Sequence, residues 1–168
     1  MAQDETPGSA PNGSADPGTG VQLIINAQYA KDLSFENPRS PQSLVQQKSA
    51  PEVSLEVDVK ARNLAPELYE ILLTTSADAK VEGEPVFIVQ LTYAGVVTIK
   101  NAGSDEVLNA MIFIETPRLL FPFARNIIAT ATRDGGFPPL LINPIDFAAL
   151  RRRDEAKGQQ PGAPTLNA

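Results

Sequence analysis

The chain has no cysteine, no histidine and no tryptophan among its 168 residues. Each absence removes a class of chemistry. Without cysteine there is no disulfide framework, no thiolate nucleophile and no zinc cluster, and the chain is compatible with a reducing compartment. Without histidine the usual general base near neutral pH and the commonest metal ligand are both missing. Positive charge is scarce as well, since 14 Lys and Arg stand against 20 Asp and Glu, giving a formal charge of −6. The one basic cluster, Arg151-Arg152-Arg153, is followed at once by Asp154 and Glu155. The clustered Lys/Arg footprint of a nucleic-acid binder is therefore absent. Carboxylates alone remain for catalysis. Glu82 with Glu84 and Asp154 with Glu155 pair only by adjacency, in turn or tail contexts without a metal-binding motif beside them, which argues against an enzyme. No uninterrupted apolar run approaches the roughly 18 to 20 residues of a membrane span. The opening MAQDETPGSAPNGSADPGTG is acidic and Gly/Pro/Ser-rich rather than secretory. A soluble cytoplasmic protein is expected.

Against these absences stands one apolar stretch, Leu119 to Ile142, LLFPFARNIIATATRDGGFPPLLI. Pro122 suits the first turn of a helix, where its missing N–H would be unpaired anyway. Leu120, Ala124, Ile127, Ile128 and Ala131 follow on one face at helical spacing. Asp134-Gly135-Gly136 ends the helix, glycine taking a left-handed position without steric cost. Phe137, Pro138, Pro139, Leu140, Leu141 and Ile142 then form an unusually apolar loop. Such a loop either caps its own core or forms part of a binding groove.

The rest of the chain suits one domain over residues 21–157, between disordered tails at 1–20 and 158–168. Val21, Leu23, Ile25, Ala27 and Tyr29 share one face of a first strand, which continues to Glu36 with an irregularity near Ala30 to Asp32. A loop of about a dozen residues follows, opened by Asn37, Pro38 and Pro41. In the second strand Val53, Leu55, Val57 and Val59 alternate with Ser54, Glu56 and Asp58. The third sets Tyr69, Ile71 and Leu73 against Glu70, Leu72 and Thr74. The fourth, VFIVQLTYAGVVTI, carries no charge: Phe87, Val89, Leu91, Tyr93, Val97 and Ile99 make its core face. Its opposite face still holds Val86, Ile88, Ala94 and Val96, and such a face calls for a partner to cover it. Ser104 is a helix N-cap with Asp105 and Glu106 in the first turn. Val107, Leu108, Met111, Ile112 and Ile114 lie on that helix, which is stopped or kinked at Pro117. After the Pro122 helix, Pro144-Ile145-Asp146 begins a short one with Phe147, Ala149 and Leu150 inward, fraying into RRRDEAKG. The predicted fold is α+β, a four-stranded antiparallel meander sheet followed by two or three helices packed on one face. Those helices are too apolar for one sheet face to satisfy, so an oligomer is expected.

At YAKDLSFENP (Tyr29 to Pro38), LYEILL (Leu68 to Leu73), LLFPFARNII (Leu119 to Ile128) and RDGGFPPLLINPIDFAAL (Arg133 to Leu150) the chain resembles the SecB family of bacterial protein-export chaperones. The likeness runs in order from about Val21 to Leu150, and the combination of these segments is more specific than any one alone. The resemblance implies a homotetramer built as a dimer of dimers, with no nucleotide, metal, other cofactor or catalysis. It implies binding of unfolded precursor proteins, which are kept unfolded and passed to the SecA motor. The apolar loop then offers client anchors at Phe137, Leu140, Leu141 and Ile142, with Tyr29 and Phe147 as walls. Asp32 and Glu36, which in isolation are ordinary solvated carboxylates, belong by resemblance to an acidic sheet surface that docks SecA. Ile88 and Gln90 occupy the matching part of the fourth strand, where the family pattern has an acidic residue in place of Gln90. The last helix is shorter than the family leads one to expect, and its arginine run reads as a solvated helix end. A SecB-like chaperone dedicated to one client, such as an antitoxin, shares fold, loop and oligomer, and SecA docking alone separates the two.

Overall fold

The computed structural model describes residues 20–45, 49–156 and 158. The two expected tails, apart from Gly20 and Gly158, lie outside the described residues. Four strands, β1 (Gln22–Glu36), β2 (Glu52–Ala65), β3 (Leu68–Val81) and β4 (Glu84–Lys100), form one antiparallel sheet in the spatial order β1-β4-β3-β2. The expected meander holds for β2, β3 and β4. Their connections are tight, with Glu67 at φ 60°, and Glu82 and Gly83 at 54° and 83°, the doubly positive geometry that suits a two-residue hairpin. β1 departs from the meander, because the long connection after it, which includes the single-turn α1 (Gln42–Val45), lets β2 start on the far side of the sheet. The result is a Greek-key order with β4 and β3 inside and β1 and β2 on the edges.

One face of the sheet carries the core. Ile71, Leu73, Val89, Leu91, Val97 and Ile99 are buried there, as their alternation predicts. Toward the outer end of the β2 edge the cover thins, and Val53 and Leu55 remain 40% exposed. β1 also differs from simple alternation, with bulges between Ile25 and Ala27 and between Ala30 and Asp32. The second falls where an irregularity was expected. The first turns over the segment that follows it, so Tyr29 opposes Ala94 on the outer face instead of joining Ile25 on the core face.

The helices differ from the reading at their prolines. Residues Asp105–Asp134 form one continuous helix of 30 residues, made of α2 (Asp105–Ala110), a π-helical turn (Met111–Glu115) and α3 (Thr116–Asp134). Ser104 Oγ caps it, accepting from the Val107 N–H at 3.3 Å. Pro117 does not stop the helix. The wider π turn just before it takes up the hydrogen bond that proline cannot make. The Thr116 N–H and Oγ1 both donate to the Met111 carbonyl, the hydroxyl at 2.7 Å. Pro122, expected in a first turn, also lies within the helix. By length and composition this helix could cross a membrane, which the two shorter helices of the reading could not. Its buried side, however, carries Leu120, Ala124 and Ile128 in the core shared with the sheet.

The end of α3 follows the glycine pair. Gly135 remains helical at φ −71° while Gly136 takes φ 91°. The Phe137 N–H returns to the Thr132 carbonyl at 3.1 Å and the Gly136 N–H to the Arg133 carbonyl at 3.0 Å, the paired bonds of a Schellman motif. In the last helix, α4 (Phe147–Ala156), the Asp146 carboxylate accepts from the Ala149 N–H at 2.9 Å. Phe147 and Leu150 turn inward, but Ala149 is exposed and Ala148 is half-buried in its place. The arginine run is helical rather than frayed. Arg151 lies 4.4 Å over the Phe113 ring and pairs with Glu155 at 2.8 Å, so it is a packing residue, while Arg152 and Arg153 are exposed as expected of a solvated helix end.

Gly135 is needed for close approach, because a Cβ there would meet the Phe35 ring at 2.3 Å. Gly135→Ala is therefore expected to destabilise the domain by about 1–3 kcal/mol, as overpacking does, measured by urea denaturation.

Candidate functional site

The loop after α3 has two characters. Phe137 is buried against Phe87 (centroids 5.0 Å) and Phe35 (6.4 Å), and Ile142 is buried as well. Leu140 is half-buried, and Leu141 is 66% exposed. A hydroxyl absent from the reading sets this division. Thr132, fully buried on α3, accepts the Leu140 N–H at 2.9 Å and bonds the carbonyls of Ile128 and Ala129 at 3.1 Å. With Pro138 and Pro139 unable to donate, this bond is what holds the middle of the loop down. A cleft of about 510 Å³ opens beside it, lined by Ala50, Pro51, Phe87, Phe137, Leu140 and Leu141. Its wall is apolar and borders the start of edge strand β2.

Of the six expected client residues, the structure brings Phe137, Leu140 and Leu141 to this cleft. Ile142 packs beneath the loop in the core. Phe147 is 1% exposed and stands edge-on to Phe121 at 6.0 Å, so it is a core residue and not a wall. Tyr29 lies on the opposite side of the sheet, turned there by the first bulge, and the chain does not bring it to the loop.

The outer face gathers the other expected set. Glu36 stands directly opposite Ile88, Ser34 opposite Gln90 and Asp32 opposite Thr92, so Asp32, Glu36, Ile88 and Gln90 share one surface. The neighbouring strands extend it with residues missing from the expected set. Asp78 opposes Ile88 from the other side, and Glu56 and Asp58 of β2 continue the acidic character. The alternation of Glu56 and Asp58 with valines marked the wet face of that strand, and this was the available signal. Ala94 on the same surface is buried, and Ile88 and Val96 are partly covered. Val86, expected there, is the extra residue of a β4 bulge opposite Ala79 and Lys80 and joins the core instead.

Near the middle of this face lies Glu70, whose side chain is 7% exposed. Tyr29 donates its hydroxyl proton to Oε1 at 2.6 Å, Lys31 Nζ reaches the same oxygen at 2.6 Å, and Arg62 approaches Oε2 at 3.8 Å. Burial by itself would raise the Glu70 carboxyl. The hydrogen bonds from Lys31 and Tyr29, with the charges of Lys31 and Arg62, outweigh it and hold the group below its ordinary value. The same hydrogen bond to Glu70, aided by burial, raises the Tyr29 phenol. Sequence could not single out Glu70, which reads there as one carboxylate among 20 acidic residues.

Two outcomes follow from these contacts. Thr132→Val keeps the shape but leaves the Leu140 N–H without its acceptor, which is expected to cost about 1–3 kcal/mol and to accelerate amide exchange at Leu140. A carboxyl lowered by folding stabilises above its unfolded value and loses that stabilisation as pH falls through the folded one. The stability advantage of the native chain over Glu70→Gln, measured by urea denaturation across pH, should therefore be present above about 4.5 and shrink below it. The raised Tyr29 phenol sets the other limit, its contribution being lost as pH rises beyond its ordinary 10.0.

Comparison with known proteins places this geometry. Residues 16–158 match the family described as "Preprotein translocase subunit SecB". The protein-export protein SecB of Rhodopseudomonas palustris strain HaA2 is 47% identical over 158 residues, covering 94% of this chain and 97% of that protein. That of Bradyrhizobium diazoefficiens is 48% identical over 145 residues, covering 84% and 89%. Among solved structures, a SecB-like chaperone of Mycobacterium tuberculosis, in complex with a peptide from an antitoxin, superposes with a TM-score of 0.61 at 14% identity. It covers 73% of this chain and 90% of its own, and at that identity it bears on the fold alone. The match over nearly the whole described chain, with relatives named for protein export, establishes that this protein belongs to the SecB family of protein-export chaperones.

Proposed function

We propose that this export chaperone holds unfolded precursor proteins at the Leu140–Leu141 cleft and hands them to SecA through the acidic outer face of the sheet. The observation that carries the client site is the cleft's chemistry: apolar side chains on a proline-stiffened loop, beside the edge strand β2. A holdase must accept many sequences, and apolar anchors with an adjacent β-edge provide that without a shaped polar pocket. Phe137 acts there as the floor rather than as a free anchor, with Leu141 as the exposed contact and Ile142 supporting the loop from below. Tyr29 and Phe147 take no part in client contact within one chain.

The docking set is Asp32, Glu36 and Ile88, with Asp78 beside them and Gln90 a neutral member. Charges on an open surface raise the association rate and make it salt-sensitive. The working unit is a cytoplasmic homotetramer, a dimer of dimers. Leu119 and Phe123 on the long helix are nearly half exposed, Phe123 stacking on Tyr93, and this uncovered apolar side supports burial against further copies. The function requires no cofactor, metal or catalytic step.

Leu141→Asp tests the cleft without touching the core, as Phe137→Asp would not. The variant is expected to keep the oligomer mass by light scattering and to lose about tenfold or more in affinity for an unfolded precursor, the equivalent of one buried apolar anchor. Unimpaired suppression of aggregation by this variant would remove the loop from the mechanism. Asp32→Asn with Glu36→Gln should weaken SecA binding and flatten its salt dependence while leaving client affinity intact. A chain that holds clients yet ignores SecA would instead be a chaperone dedicated to a single client.

A further inference from the structure

Regular alternation would carry β1 from Ile25 to Phe35 with both side chains on the core face and no bulge, because the two are an even number of steps apart. The strand is bulged twice instead. From Ile25 to Asp32 β1 takes seven steps while β4 takes five, from Val97 to Thr92. The two bulges together shift the register by two residues and restore the original faces. Side-chain alternation has a period of two, so outside the segment between the bulges every residue keeps its face and the hydrophobic pattern there cannot choose between the two registers. In the regular register counted from Ile25, Asp32 would oppose Gln90 and Glu36 would oppose Val86. In the structure they oppose Thr92 and Ile88.

What distinguishes the bulged register lies on the outer face. The first bulge has a local tie, Asn26 donating to Thr98 Oγ1 at 2.8 Å. Between the bulges the strand is turned over, and only so does Tyr29 point outward to reach Glu70. Lys31, the extra residue of the second bulge, reaches the same carboxylate oxygen. Glu70 belongs to β3, with β4 lying between it and β1, while Arg62 approaches from β2 on the other side. A buried carboxylate is costly unless its partners are delivered to it, so an ionised Glu70 selects the register that brings Tyr29 and Lys31 together.

We propose that Glu70 is a positioning residue for the acidic outer face, holding β1 in its doubly bulged register so that Asp32 and Glu36 stand beside Thr92 and Ile88. The role in docking rests on reading that face as the SecA surface; the role in register does not. Because the chain has no cysteine, cross-strand disulfides report register directly. Ser34→Cys with Gln90→Cys reads the far half of β1, and Gln22→Cys with Lys100→Cys reads the near half, each pair being directly opposed.

In the full-length assembled protein both pairs should link under mild oxidant. Adding Glu70→Gln should slow linking by about tenfold or more in one of the two pairs, since the halves can no longer both keep their partners. Lys31→Met, at a partly exposed position that spares the fold, should act in the same direction, and Lys31→Arg should restore linking. In the cysteine-free protein, Glu70→Gln should weaken SecA binding about tenfold with unfolded-client affinity within about twofold, a split that general loss of structure would not produce. Unchanged linking of both pairs in Glu70→Gln and Lys31→Met would overturn the register role whatever SecA does. Slowed linking with unaltered SecA affinity would uphold the register role and overturn the docking role.

Discussion

The contact between Leu120 and the backbone of Gly95 is the approach on which the rest of the structure depends. A Cβ at position 95 would sit 2.9 Å from a methyl of the fully buried Leu120, so the glycine lets the long helix settle closely on β4 without displacing that side chain. That closeness determines what the helix covers. Leu120, Ala124 and Ile128 lie fully buried along one stripe, and the same stripe carries on to Thr132 and the glycine end. Because β4 is an inner strand, every shift of the helix would be felt on both sides of the sheet.

From that seat the loop inherits its geometry. The Schellman turn aims Phe137 back into the rings of Phe35 and Phe87, and Thr132 then catches the Leu140 amide. Gly135 belongs to the same arrangement, since its missing Cβ is the space occupied by the Phe35 ring. Half of the apolar loop is thus core, and that half presents the other half to solvent. The loop caps its own core at Phe137 and Ile142 and lines a cleft at Leu140 and Leu141. Leu141 stays exposed while Leu140 beside it is tied to Thr132 and Ile142 is buried.

How much of this was legible follows from the range of the forces involved. Local alternation located all four strands, and helical spacing correctly selected Leu120, Ala124 and Ile128, because those patterns are written over a few residues. Prolines misled the reading. Pro117 and Pro122 read as a stop and a start, yet a π turn and a packed face hold one helix through both, and tertiary packing is not visible in a proline's own preferences. The place of β1 depended on a long connection, which permits several topologies. Phe147 and Tyr29 were placed by apolarity and alternation. Burial by α3 and an unanticipated bulge moved each to a different role. Thr132 and Glu70 carried no local signal, since a single hydroxyl or carboxylate acquires its meaning only from what the fold brings near.

The two faces of the sheet then divide the labour by the kind of force each uses. The helix side is held by area and shape, so its tolerance is set by volume, and changes there propagate through packing. The outer side is held by a few directed bonds around a buried carboxylate, beside exposed charges that contribute little to stability individually. A surface of that second kind can vary its charges at small cost, which is consistent with a neutral Gln90 among acidic neighbours. Its register cannot vary in the same way. With two edge strands reaching one Glu70 carboxylate, the positions of the variable charges depend on a group that they do not touch, and this separates what the face presents from what holds it in place.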